Sequence, residues 1–100
     1  MVRILKSDAE KLLDKVPDEY AFRCCDGSVF VNMGELHNGL TTMSDESYAF
    51  HADNARSDFS NWVRDIIRDE KLARDLLKSL NRSQATKNVA TRIEFLSSKL

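Results

Sequence analysis

The sequence predicts an α+β fold dominated by helix: five or six short helices packed on one two-stranded antiparallel β-hairpin. Three observations carry that expectation. The 100 residues include only three glycines and one proline, which leaves little material for long coil and favours helix. Apolar residues recur at helical spacing over most of the length, as amphipathic helices require. One stretch alternates instead. In "FRCCDGSVFV", residues 22 to 31, apolar residues flank Asp26-Gly27 on both sides, and an Asp-Gly doublet suits a two-residue hairpin turn.

The first helix is expected in "SDAEKLLDKVP". Ser7 and Glu10 have capping-box spacing, Leu12, Leu13 and Val16 give an apolar stripe, and Pro17 disfavours helical geometry at Val16. In the hairpin, a two-residue loop pairs Cys24 with Val29 and Phe22 with Val31 on one face. Arg23 and Phe30 then share the other face, and Cys25 lies opposite Ser28 beside the turn.

A short helix follows to about Asn38 or Gly39, with Asn32 as cap, Glu35 completing the box and Val31 with Leu36 as a hydrophobic staple. The same grammar recurs at Ser44, where Asp45 and Glu46 suit the positive helix end and Met43 with Tyr48 form a staple. Phe59, Trp62, Val63, Ile66 and Ile67 make one stripe; "RDE" at 68 to 70 interrupts it; Leu72, Ala73, Leu76, Leu77 and Leu80 resume it. Two helices meeting near Asp69 are expected. A last helix starts after Ser83, with Ala85, Val89, Ile93, Leu96 and Leu100 on one side.

One hundred residues fit a single domain, expected over 1–100. The 31% of charged residues are of mixed sign and sum to −1, so no basic field for nucleic acid or a membrane surface forms. No apolar window long enough to span a membrane occurs. The N-terminal "MVRILKSDAEKLL" turns polar before a signal-peptide core forms. Cytoplasmic residence is therefore expected, with both cysteines as reduced thiols.

Little in the chain looks like chemistry. Cys24 and Cys25 are adjacent, and strand neighbours point to opposite faces, so they are not expected to share a metal. His37 and His51 add ligand types without ligand spacing. Cys24 reads as a small core residue, and no metal or cofactor is expected. A thiol nucleophile needs a base in reach, and nothing local marks His37 or His51 as one. Ser57 or Ser60 with His51 and Asp58 lacks the glycines of a nucleophile elbow. The basic edge Arg64, Arg68, Lys71, Lys78 and Arg82 interleaves with Asp65, Asp69, Glu70 and Asp75. Such alternation reads as a solvated face, which disfavours nucleic acid.

The most concentrated polar variety surrounds the single tryptophan. His51, Asn54, Asp58, Asn61, Trp62 and Arg64 are the expected recognition surface. Trp62 itself is expected to be mostly buried on the hairpin face carrying Phe22 and Val31, with its N–H near the polar segment.

The run "EYAFRCCDGSVFVNMGELHNGLTTMSDESYAFH", followed by "DFSNWVRDIIRDEKLARDL", resembles a family of small archaeal and bacterial domains of unknown function. The shared features are an aromatic strand ending in Asp-Gly, a Leu-rich short helix, a Met-Ser-Asp helix start and a "DF-x-NW-x-RD" segment. The likeness covers about residues 19 to 78; the Cys-Cys pair and "SQATKNVATRIEFL" fall outside it. It implies an accessory module. The function expected is thus a non-enzymatic interaction domain that binds a protein partner or a second copy of itself. The alternative is a small-ligand-binding or enzymatic domain with a pocket around His51, Asp58 and Trp62. The position of Trp62, in a closed core or lining a polar cleft, separates the two.

Overall fold

A computed structural model describes residues 4–100. Met1, Val2 and Arg3, the start of the polar N-terminal stretch, lie outside the described residues. The order is α1 (Lys6–Leu13), a 3-10 turn (Asp18–Tyr20), β1 (Phe22–Arg23), β2 (Val29–Phe30), α2 (Met33–Thr42) and α3 (Asp45–His51). Then come α4 (Asp58–Trp62), a π-helical turn (Val63–Ile67), α5 (Glu70–Leu77) and α6 (Arg82–Ser97). The mostly helical α+β architecture is the one the sequence predicts.

The hairpin forms one residue out of the expected register. Phe22 pairs with Phe30 and Arg23 with Val29. The Cys24 amide donates to the Ser28 carbonyl at 2.8 Å, and the Gly27 amide to the Cys24 carbonyl at 3.0 Å. Gly27 sits at φ +94°. The loop is therefore three residues long, Cys25 to Gly27, closed by a left-handed glycine, which is the next commonest way to use such a sequence. Asp26 fixes it by accepting the Ser28 amide at 2.8 Å. A one-residue slip exchanges the two faces. Phe30, expected outward beside Arg23, is buried, and Val29, expected inward, is 44% exposed.

Helix ends show the same competition between local signals and tertiary contacts. α1 begins earlier than its expected cap, with the Asp8 carboxylate, not that of Glu10, accepting the Leu5 amide at 3.1 Å. It also ends before Pro17 can act, because Val16 leaves to donate to the Val31 carbonyl at 2.8 Å. Asn32 caps α2 by accepting the Glu35 amide at 2.8 Å, as expected, but the helix runs through Gly39 to Thr42. A Cβ on Gly39 would overlap the Phe30 ring. That glycine is a close approach of helix to hairpin, not a helix stop. α6 starts two residues early on the cap Asn81, which accepts the Gln84 amide at 2.8 Å.

Ser44 caps α3 as expected, accepting the Ser47 amide at 3.1 Å, and Met43 and Tyr48 are both buried. The break near Asp69 also forms. After the π-helical turn, Arg68 takes φ 76° and Asp69 caps α5 by accepting the Leu72 amide at 3.1 Å.

α6 packs against α1, α2 and α5, while α2 carries β2 and α4 leans on α5. Phe22 stacks on Phe30 (centroids 5.8 Å apart) and Phe59 (5.0 Å), and Tyr48 stacks on Phe59 at 5.6 Å. The isolated hairpin is thereby held against helices, as a two-stranded sheet needs. Arg92 on α6 forks onto the buried Asp69 at 2.8 and 3.1 Å. Among the described residues no helix is long and apolar enough to cross a membrane.

Candidate functional site

α3 and the hairpin loop meet at His51. The ring is buried, edge-on to Phe22 (5.1 Å), Phe50 (4.9 Å) and Phe59 (5.5 Å). Its Nε2 accepts the Cys25 backbone amide at 3.0 Å. Nε2 therefore carries a lone pair, and the proton sits on Nδ1, which lies 3.0 Å from Asp58 Oδ2. Asp58 in turn accepts from Arg56 Nη1 at 2.7 Å, and Arg56 Nη2 donates to the Phe50 carbonyl at 3.1 Å. The loop that brings Arg56 round is shaped by Asp53, whose carboxylate accepts the Ala55 and Arg56 amides at 2.7 and 3.0 Å. Those amides hold the Asp53 carboxyl below its ordinary pKa. The result is a chain from Arg56 through Asp58 and His51 to the hairpin loop.

At the end of that chain lie both cysteines. The Sγ atoms of Cys24 and Cys25 and a ring nitrogen of His51 all fall within 4.8 Å of one another. The expectation that the thiols diverge fails because β1 ends at Arg23. Cys24 is the last residue before the loop and Cys25 the first within it, so strand alternation no longer governs the pair. Cys24 is buried as expected, and burial pushes its thiol pKa up. Cys25 is exposed, and its thiol approaches the Ser47 carbonyl at 3.9 Å.

Of the six expected recognition residues, the structure brings His51 and Asp58 together and separates the rest. Asn54 and Asn61 are exposed, and their side chains make no hydrogen bond among the described residues; the Asn61 backbone amide donates to the Ser57 carbonyl at 3.0 Å. Trp62 is 7% exposed and edge-on to Phe22 at 5.9 Å. Its expected place against Phe22 is correct. Its Nε1–H, however, donates at 2.8 Å to the Tyr20 carbonyl and not to the polar segment. Arg64 pairs with its neighbour Asp65 at 2.9 Å. Neither serine of the hydrolase-like alternative is free: Ser57 Oγ caps α4 through the Ser60 amide, and Ser60 Oγ donates to the Ala73 carbonyl at 2.6 Å.

A second feature lies along α5 and α6. A broad groove of about 1600 Å³ runs between α5 and α6, touching Ile4, Leu12 and Phe95 as well as Arg64, Arg68, Lys71, Arg74 and Lys78. The basic edge expected from the sequence is thus largely a groove wall. Arg82 is the exception. It turns inward to the α2 end, donating to the Leu40 and Thr41 carbonyls at 2.8 and 3.2 Å and to Asp45 at 2.8 Å. Lys71 pairs with Asp75 at 2.7 Å in the expected i,i+4 geometry, and Arg92 is spent on Asp69. Arg68, Arg74 and Lys78 make no ion pair among the described residues.

No protein-family model, curated protein or solved structure matches the chain.

Proposed function

We propose that this chain is a non-enzymatic, cytoplasmic interaction domain whose α5–α6 groove takes an acidic, amphipathic segment of a protein partner. The observation that carries this reading is the surplus of positive charge on the groove. Among the described residues Arg68, Arg74 and Lys78 have no ion-pair partner, and Glu70 is the one unpaired acid of the groove. Ile4, Leu12 and Phe95 add apolar contact area, so an occupant with carboxylates on one side and a narrow apolar stripe on the other is complementary. The interleaved Asp65, Glu70 and Asp75 break up any continuous phosphate track, which argues against nucleic acid.

Trp62 supports the same reading. The small-ligand alternative requires it in a polar cleft beside His51, whereas its ring is closed in by Phe22 and its N–H is satisfied by Tyr20. Two free thiols suit a reducing compartment.

Titration calorimetry tests it with a helical peptide probe carrying Glu on one face and Leu on the other. Expected is one site whose affinity falls with added salt and drops about tenfold in Arg74→Glu/Lys78→Glu, as reversing two contacts of under about 1 kcal/mol each implies. Binding unaffected by both salt and the double variant would refute the assignment.

A further inference from the structure

The Cys24, Cys25 and His51 cluster carries a feature that hairpin packing does not explain. We infer that it is a binding site for a thiophilic divalent metal ion of the zinc type, ligated by both cysteine sulfurs and His51 Nε2. The donor set comes first. Two thiolates and an imidazole are the ligands that select zinc over the hard alkaline-earth ions.

Spacing comes second. The three donor atoms already lie within 4.8 Å of one another. Tetrahedral ligation with metal–sulfur distances of ~2.3 Å and metal–nitrogen distances of ~2.0 Å places such donors about 3.5–3.8 Å apart. Closing the difference needs a movement of roughly 1 Å, and it falls on an exposed turn. Cys25 is exposed and its loop is anchored by Asp26 and Gly27, so its side chain has room to swing.

An independent observation is the second layer around the histidine. Ligating histidines characteristically donate their other ring N–H to a carboxylate, which fixes tautomer and ring plane and raises ligand basicity. Here Nδ1 faces Asp58 at 3.0 Å, and Asp58 is itself held by Arg56 at 2.7 Å. The nitrogen left over is Nε2, a lone-pair donor aimed at the cysteine turn and already accepting the Cys25 amide. Metal binding exchanges that amide for the ion.

Proton balance is simple. Both thiols lose a proton to solvent as two metal–sulfur bonds form, and the imidazole enters neutral, so an ion of charge +2 is neutralised by its ligands. The three protein donors leave one position of a tetrahedral ion unfilled. A three-ligand site with one open position binds a divalent ion but does not close it off as a structural zinc centre does. Binding releases two protons and therefore tightens as pH rises.

The test uses the whole chain under a phosphine reductant, with Co²⁺ as spectroscopic probe and Zn²⁺ as competitor. Expected is a 1:1 thiolate-to-cobalt charge-transfer band with tetrahedral visible bands, abolished by stoichiometric Zn²⁺. Cys25→Ser, at an exposed position and with its fold checked by circular dichroism, should remove most of the band. Asp58→Asn should retain the band but weaken affinity about 10–100-fold, the usual loss for an outer-shell partner. Absence of a charge-transfer band from the reduced protein at equimolar cobalt overturns the site. A band of undiminished intensity in Cys25→Ser overturns it equally.

Discussion

Replacing Arg92 by Met isolates the strongest polar interaction in the core. Asp69 is 1% exposed in its side chain and Arg92 9%, and the guanidinium forks onto both carboxylate oxygens at 2.8 and 3.1 Å. Methionine keeps most of the volume and removes the charge, leaving the carboxylate buried with only the Leu72 amide at 3.1 Å as partner. Breaking one side of a buried pair costs about 3–5 kcal/mol, a large share of the ~5–15 kcal/mol available to such a domain. Loss of the guanidinium over the Phe95 ring, 5.2 Å away, adds about 0.5–1 kcal/mol.

Asp69→Asn, by contrast, retains an acceptor for the α5 cap while removing the charge. Combined with Arg92→Met it should recover most of the loss, because no buried ion is then left alone. Urea unfolding followed by Trp62 fluorescence reads all three variants. With a slope of ~1.5 kcal/mol per molar, the Arg92→Met midpoint falls by about 2–4 M. A loss under ~1 kcal/mol for Arg92→Met, or a double variant as weak as the summed singles, would show that the pair does not clamp α6 to the start of α5.

Trp62→Ala should cost about 3–5 kcal/mol, and native emission should be blue-shifted and poorly quenched by iodide; free quenching would place the ring at the surface. Gly27→Val should destabilise by about 1–3 kcal/mol, purely through its positive φ, since nothing lies within 4 Å of the added Cβ; Gly27→Asn, which tolerates that region, should lose much less in the same thermal melt. Gly39→Ala acts by the other mechanism, driving a Cβ into the Phe30 ring, and should cost about 1–3 kcal/mol as overpacking. A thiol reagent should label exposed Cys25 well before buried Cys24, whose thiol burial also keeps protonated; the reverse order would contradict the placement of the turn.

Much of this fold was legible because its signals are local. Ser44 with its staple, the Asn32 cap and the helix break at Asp69 each lie within a few residues of what they control. The hairpin was legible in existence but not in register. Asp-Gly serves both as a two-residue turn and as the end of a three-residue one, and the choice follows from burying Phe30 against Gly39 rather than from the turn. Nothing local encodes the partnerships that build the sites. Cys25 and His51 are 26 residues apart, Asp69 and Arg92 are 23 apart, and Arg82 reaches Leu40 across 42. Arg92 did carry a signal, since it stands in line with Ala85, Val89 and Leu96 on the buried side of α6, but its partner Asp69 had none.

A ¹⁵N-labelled sample titrated with the acidic amphipathic peptide tests the functional reading most directly, since it reports where contact occurs. Amide shifts should concentrate on Arg68, Arg74, Lys78 and Phe95, leaving Cys25, His51 and Asp58 in place. Shifts gathered instead around His51 and Asp58, with the groove unmoved, would contradict a groove-binding domain and return the candidate surface to the His51 cluster.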